Sequence, residues 1–341
     1  REESPELNER VDDPLNADAF LGGLDEIDDS TPLAAQLAED ARRRIELEGK
    51  TFPRPPTTRV LTVANQKGGV GKTTTTVNLA AALAIGGLRV LVIDNDPQGN
   101  ASTALGIDHQ AGTPSVYDVL IEETPLSEVI QPCPDVQNLY CAPATIDLSG
   151  AEIELVSMVA RENRLRNAIA TLLETPGHEY DYVLIDCPPS LGLLTVNAFV
   201  AAREVLIPIQ SEYYALEGLS QLLRNIELIR GHLNPHLHVS TILLTMFDKR
   251  TNLSRQVGRS APHRRSAGHR SRWCLEVSIP RSVRISEAPS YGQTVLTYDA
   301  GSTGALAYRA AAQELAHRAH GTTPVPSRPQ NAEEIPEEVH E

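Results

Sequence analysis

Apolar residues fall into short continuous runs, Val60–Ala64, Arg89–Ile93, Tyr182–Ile185, Val205–Ile209 and Val239–Thr245, separated by segments with helical spacing. Runs of this length without polar alternation suit strands buried on both faces, and their regular spacing predicts a mostly parallel sheet flanked by helices. The first helix is predicted over Lys72–Ile85, where Gly86-Gly87 stops it. A second, long helix comes after Val205–Ile209, and a further strand is expected at Leu275. In such sheets ligands sit beyond the carboxyl ends of the strands, so the residues just past each run are the first candidates for chemistry.

Polar composition sets the limits of this body. Residues 1–58 are rich in Asp, Glu and Pro, close on Pro53, Pro55 and Pro56, and predict a mostly disordered acidic arm. Within the arm, Leu33, Leu37, Ala41 and Ile45 recur every four residues, the spacing of a short amphipathic helix. The Pro- and Glu-rich stretch 321–341 reads as a disordered acidic tail, leaving 59–320 as the folded domain. The net charge of −15 is concentrated in these ends: 1–58 holds 15 acidic and 7 basic side chains, and 321–341 holds 5 and 1. Inside the domain, Lys249 to Arg272 carries eight Lys/Arg and no acid, a local patch suited to phosphates whatever the whole-chain charge. No apolar run reaches the length of a membrane span, and Cys133, Cys141, Cys187 and Cys274 lack metal-ligand spacing, as expected for thiols in a reducing cytoplasm.

Three strand ends carry chemistry. Between the first strand and helix stands Lys67-Gly68-Gly69-Val70-Gly71-Lys72-Thr73-Thr74. Glycines let backbone N–H groups turn inward around phosphate oxygens, and the helix N-terminus adds partial positive charge. In that setting Lys72 supplies a charge to the phosphates and Thr73 a hydroxyl to Mg²⁺. The usual first glycine of a phosphate loop is replaced by Gln66, and Lys67 is an additional lysine at the head of the loop. The second strand ends in Asp94-Asn95-Asp96-Pro97-Gln98-Gly99-Asn100, with carboxylates placed to hold a metal-bound or attacking water. Tyr182–Asp186 is an apolar strand ending in an acid, the arrangement in which a carboxylate reaches Mg²⁺ through its water shell.

The K-G-G-x-G-K-T loop resembles the deviant Walker A motif of the ParA/MinD group of P-loop ATPases. Asp94–Asn100 resembles switch I of ParA proteins, and Asp186-Cys187-Pro188-Pro189 resembles the start of switch II. The stretch Ile279-Pro280-Arg281-Ser282-Val283-Arg284-Ile285-Ser286-Glu287-Ala288-Pro289-Ser290 is similar to the chromosomal ParA pattern I-P-R-x-V-R-x-S-E-A-P-S. Together, and in order, these identify residues 59 to 318 as resembling ParA (Soj-like) chromosome-partitioning ATPases. The resemblance implies a Mg-ATP-dependent homodimer that binds double-stranded DNA without sequence preference and releases it when the centromere-binding partner ParB stimulates hydrolysis. It further implies that Lys67 reaches the partner subunit's phosphates, that Asp96 positions the hydrolytic water, and that Gly68 to Thr74 cradle the nucleotide. By the same resemblance Met246 and Pro280 border the base, while Arg250, Arg281 and Arg284 contact DNA in the nucleoid. A polar scaffold is a further candidate partner, for the acidic arm.

The segment 258–273, GRSAPHRRSAGHRSRW, departs from the family, where a mixed-charge amphipathic helix is expected. Two readings stand: a genuine basic loop that strengthens phosphate contacts, or a compensated pair of frameshifts, which predicts that another reading frame restores the helix. MinD, the nearest rival, holds membranes by a basic amphipathic C-terminal helix, and the Pro/Glu-rich tail offers none. The other rivals are a P-loop ligase or synthase of the same fold and a positioning protein for non-DNA cargo.

Overall fold

The computed structural model describes residues 32–210, 215–247 and 273–321. Arg250, most of the run 258–273, the arm before Pro32 and the tail beyond Gly321 lie outside them. Seven strands form one sheet: β1 (Arg59–Val63), β2 (Val90–Asp94), β3 (Gln131–Pro132), β4 (Leu139–Ala142), β5 (Tyr182–Asp186), β6 (Glu204–Gln210) and β7 (His238–Thr245). Their order is β3-β4-β2-β5-β1-β6-β7. Every pairing is parallel except the short β3–β4 ribbon at one edge. The expected mostly parallel sheet is therefore present.

Period-two alternation sorts each central strand between two cores. Leu61, Val63, Val90, Val92, Tyr182 and Leu184 enter one of them. That core also holds apolar residues of α2 (Lys72–Ile85), α3 (Asn100–Ala104) and the C-terminal helix α12 (Thr303–Gly321). Val60, Leu91, Ile93, Val183 and Ile185 enter the other. It is covered by α4 (Val116–Ile121), α5 (Leu126–Val129), α6 (Leu148–Glu154), α7 (Arg164–Glu174), α8 (Leu193–Ala201) and α9 (Ala215–His232). The expected strand at Leu275 is instead an extended segment beside β7, joined by two isolated parallel bridges, Ile242 to Cys274 and Phe247 to Pro280. Beyond it come two short helices, α10 (Val283–Glu287) and α11 (Val295–Tyr298).

Residues 32–58, assigned to the acidic arm by their composition, pack onto the domain. Helix α1 (Pro32–Leu47) lies along α12, with Thr303 donating to Asp40 at 2.6 Å and Arg309 to the carbonyl of Leu47 at 2.6 Å. Ala38 and Leu47 are buried, while Ile45 of the predicted stripe is 36% exposed. Phe52 then fills the space over Gly86: its ring lies against the glycine Cα, and its N–H donates to the Gly86 carbonyl at 2.8 Å. Composition misled because a few polar anchors and one aromatic ring suffice to dock a segment that is otherwise charged. Phe52→Ala is expected to cost about 3 kcal/mol, the usual range for emptying a buried aromatic site. Urea denaturation checks this, as a shifted midpoint at unchanged slope.

Farther along the same face, Arg59 ties the sheet to α12. It makes a two-pronged ion pair with Glu204, at 2.7 and 2.5 Å, and donates to the Tyr182 hydroxyl at 3.2 Å and the Leu315 carbonyl at 3.1 Å. This holds the strand entry rigid at the end of the sheet opposite the phosphate loop.

Candidate nucleotide site

The loop between β1 and α2 bends where the sequence supplies glycine. Gly69 and Gly71 have φ of 73° and 85°, a region that side chains rarely adopt. Gly71 occupies the N-cap of α2, so its helical amides face the strand ends with no side chain capping them. Two buried braces set the loop's position. Asn65 donates to the Pro208 carbonyl at 2.8 Å and accepts from the Lys67 N–H at 3.0 Å, linking the loop to β6. Thr245, at the end of β7, donates to the Val70 carbonyl at 2.8 Å. The ammonium of Lys72 reaches back inside the loop to the Lys67 carbonyl at 3.5 Å.

Asp186 lies at the end of β5, fully buried, and both its oxygens are engaged from α2. Thr73 donates to one at 2.7 Å and Thr76 to the other at 2.9 Å. The two threonines are three residues apart and share one helix face. On the adjacent strand Asp94 is also fully buried and accepts from the Ser102 N–H at 2.8 Å and hydroxyl at 2.7 Å. The N–H of Asp96 adds a contact of 3.3 Å to Asp94. Asp94 thus folds the switch I turn back upon itself and closes it onto α3. Asp96, in contrast, holds only the Gln98 N–H among these contacts, at 3.0 Å, and remains near the Lys72 charge. Asn95 joins the two strand ends, its N–H to the Asp186 carbonyl at 3.0 Å and its amide to the Leu194 carbonyl of α8 at 2.8 Å.

Burial dominates the electrostatics. It pushes the Asp186 carboxyl up to about 7, with the charge of Asp94 adding to the effect and the two threonine hydroxyls opposing it. Burial likewise pushes Asp94 up to about 6 against its Ser102 hydrogen bonds. The Lys72 ammonium is lowered by burial, in part offset by Asp186 and Asp96. Carboxylates so destabilised in ionised form are relieved by a cation, and the oxygen-only set of Thr73, Asp186 and Asp96 suits hard Mg²⁺.

The family model of an AAA domain matches residues 58–239. The sporulation initiation inhibitor protein Soj of Bacillus subtilis is 50% identical over 76% of this chain and 98% of its own length. Chromosome partitioning protein ParA of Myxococcus xanthus is 49% identical over 76% of this chain and 88% of its own. The chain belongs to the ParA (Soj) family of chromosome-partitioning proteins. Among solved structures, the fold matches one named cobyrinic acid a,c-diamide synthase from Mycobacterium smegmatis, with bound ADP and magnesium. The match has 39% identity and a TM-score of 0.61, over 74% of this chain and 91% of that one.

Of the residues singled out from the ParA motifs, Lys67 to Thr74, Asp96 and Asp186 converge on one rim of the sheet. Met246 and Pro280 join that rim, half-buried on neighbouring segments. Met246 has a positive φ of 50°, and the next residue, Phe247, bridges to Pro280. Arg281 and Arg284 are exposed at the start of the next segment. Arg250 lies outside the described residues. The motifs did not reveal Asn65, Thr76, Ser102 or Thr245, which brace the site from positions whose only signal is a small polar residue at a strand end or one helical turn past the loop.

Proposed function

We propose that this chain is a Mg-ATP-dependent partitioning ATPase that dimerises on ATP, binds DNA nonspecifically as the dimer, and is released after ParB-stimulated hydrolysis. The reading rests on one observation above all: the phosphate loop, Asp186 and Asp96 meet on one strand-end rim with Lys72 folded into the loop. Lys72 neutralises the β- and γ-phosphates, and the loop amides and the α2 N-terminus take their remaining oxygens. Thr73 and Asp186 would hold Mg²⁺, which supplies charge neutralisation on the phosphate oxygens, with Asp96 close by. Asp96 orients the attacking water. Lys67 serves the partner subunit's phosphates, Met246 and Pro280 flank the base, and Arg250, Arg281 and Arg284 face DNA phosphates. The protein then works in the cytoplasm on the nucleoid. Among the described residues no helix is long and apolar enough to cross a membrane. A docking role of the acidic arm toward a polar scaffold belongs to the same reading.

A second reading, an ATP-dependent amide synthase, is favoured by the name of the Mycobacterium smegmatis structure. The curated relatives near 50% identity, named as partitioning proteins or Soj, weigh toward the first. Anisotropy titrations with random-sequence duplex, with and without ATP, separate the two. Binding that requires ATP supports partitioning, whereas ATP turnover that depends on a carboxylic acid and an amine donor, without DNA binding, supports the synthase. Arg284→Glu should weaken DNA binding uniformly across sequences and make its salt dependence shallower by about one counterion or more. An unchanged salt slope would remove Arg284 from the DNA face.

A further inference from the structure

Arg284 does not stand alone on its rim. Its Nη1 lies 3.4 Å from a carboxylate oxygen of Glu287, one turn on in α10, and its Nε lies 3.4 Å from a carboxylate oxygen of Asp299. Each acid is held in place from behind. The Tyr298 hydroxyl donates to the same Glu287 oxygen at 3.5 Å, and the Tyr298 ring stacks on Tyr291 at 5.1 Å between centroids. Asp299 begins a tight turn closed by the Ser302 N–H at 3.0 Å and hydroxyl at 2.7 Å, both donated to the Asp299 carbonyl. From the N-terminal helix α1, Arg44 donates to the Gly301 carbonyl of that turn at 3.3 Å. Two carboxylates from separate elements thus converge on one guanidinium at an exposed edge.

We propose that Glu287 and Asp299 are built-in competitors of DNA phosphate at Arg284. This inference rests on the DNA-binding reading above. A phosphate reaching Arg284 replaces one or both carboxylates, so the favourable contact is set against the loss of two others. The carboxylates set free take up cations from solution, which cancels part of the counterion release that drives binding. The arrangement lowers both affinity and salt dependence at this position, suiting a surface that must let go of DNA. Through Arg44 and the Gly301 turn, the segment before the ATPase body braces one of the two competitors.

The test is a salt series of duplex-binding titrations in ATP, on the full chain, using Glu287→Gln, Asp299→Asn and the double variant, each with and without Arg284→Ala. Exposed ion pairs of this kind predict about two- to fivefold tighter binding for each single change and about tenfold for the double. The salt dependence should steepen by about one counterion. In the Arg284→Ala background the gain should vanish, because a pairwise competition needs its partner. Equal tightening with Arg284 replaced would reduce the effect to bulk charge and overturn the clasp, as would no tightening in either single variant. If Asp299→Asn unsettles its turn, seen as a lowered melting temperature, Glu287→Gln alone carries the same comparison. Wild-type protein that fails to bind DNA in ATP would bring down the DNA reading and the clasp with it, whereas an Arg284→Ala variant that binds as well as wild type would take Arg284 off the DNA face and overturn the clasp alone. Wild-type binding through Arg284 with unaltered acid variants sinks the clasp alone.

Discussion

Lys72→Ala should lower ATP turnover by about 10³-fold and weaken nucleotide binding, measured as single-turnover hydrolysis and as ATP titration by calorimetry. The magnitude comes from removing a preorganised charge in a water-poor site, where one oxyanion-stabilising donor is worth about 10²- to 10³-fold. Lys72 has the attributes of such a group. Its ammonium is buried, it points into the loop at the Lys67 carbonyl, and burial has already lowered its hold on the proton. A dry cation beside Asp186 and Asp96 exerts a field that an exposed lysine would not. Lys72→Arg should not rescue, because a planar guanidinium does not reproduce the compact ammonium inside a loop whose backbone the Asn65 and Thr245 braces hold in place. Hydrolysis by Lys72→Ala at the wild-type rate would remove Lys72 from phosphate stabilisation.

The sequence disclosed the part of the molecule where local pattern and tertiary position coincide. Strands β1, β2, β5, β6 and β7 announced themselves because both of their faces are buried, leaving uninterrupted apolar runs. Strand β4 was passed over because only Leu139 to Ala142 pair, and Tyr140 among them is half-buried. The phosphate loop and the acids at Asp96 and Asp186 were legible because motif spacing ties them to strand ends. Asn65, Thr76 and Thr245 were not, since each acts through a hydrogen bond to a residue chosen by the fold. The stretch from Pro32 to Thr58 was hidden for a different reason. Its charged residues suggested solvation, yet Asp40, Arg44 and Phe52 each meet a partner supplied from beyond residue 85. Charge around Arg284 was also misleading when read alone, because its two acidic partners come from three and fifteen positions farther along.

Asp96→Ala separates binding from hydrolysis in a way Lys72→Ala does not. Turnover should fall by about 10²- to 10⁴-fold, the usual contribution of a positioned acid-base group, while ATP affinity stays within a few fold of wild type. The division of labour between the two neighbouring acids supports this. Asp94 spends both oxygens on Ser102 and the Asp96 N–H and so shapes the turn. Asp96 has only the Gln98 N–H in that set and lies close enough to Lys72 for their charges to interact. Removing the Asp96 carboxylate therefore gives up the Gln98 N–H contact but keeps the Asp94 contacts that close the turn, and takes away the group proposed to orient water. With hydrolysis stalled and ATP bound, the dimer should persist and stay on DNA, seen as slower dissociation after dilution into competitor duplex. Asp94→Ala should do the opposite, loosening switch I and lowering thermal stability along with activity. If Asp96→Ala hydrolyses ATP at the wild-type rate, the attacking water is positioned elsewhere, and the buried Asp186 becomes the carboxylate to test next.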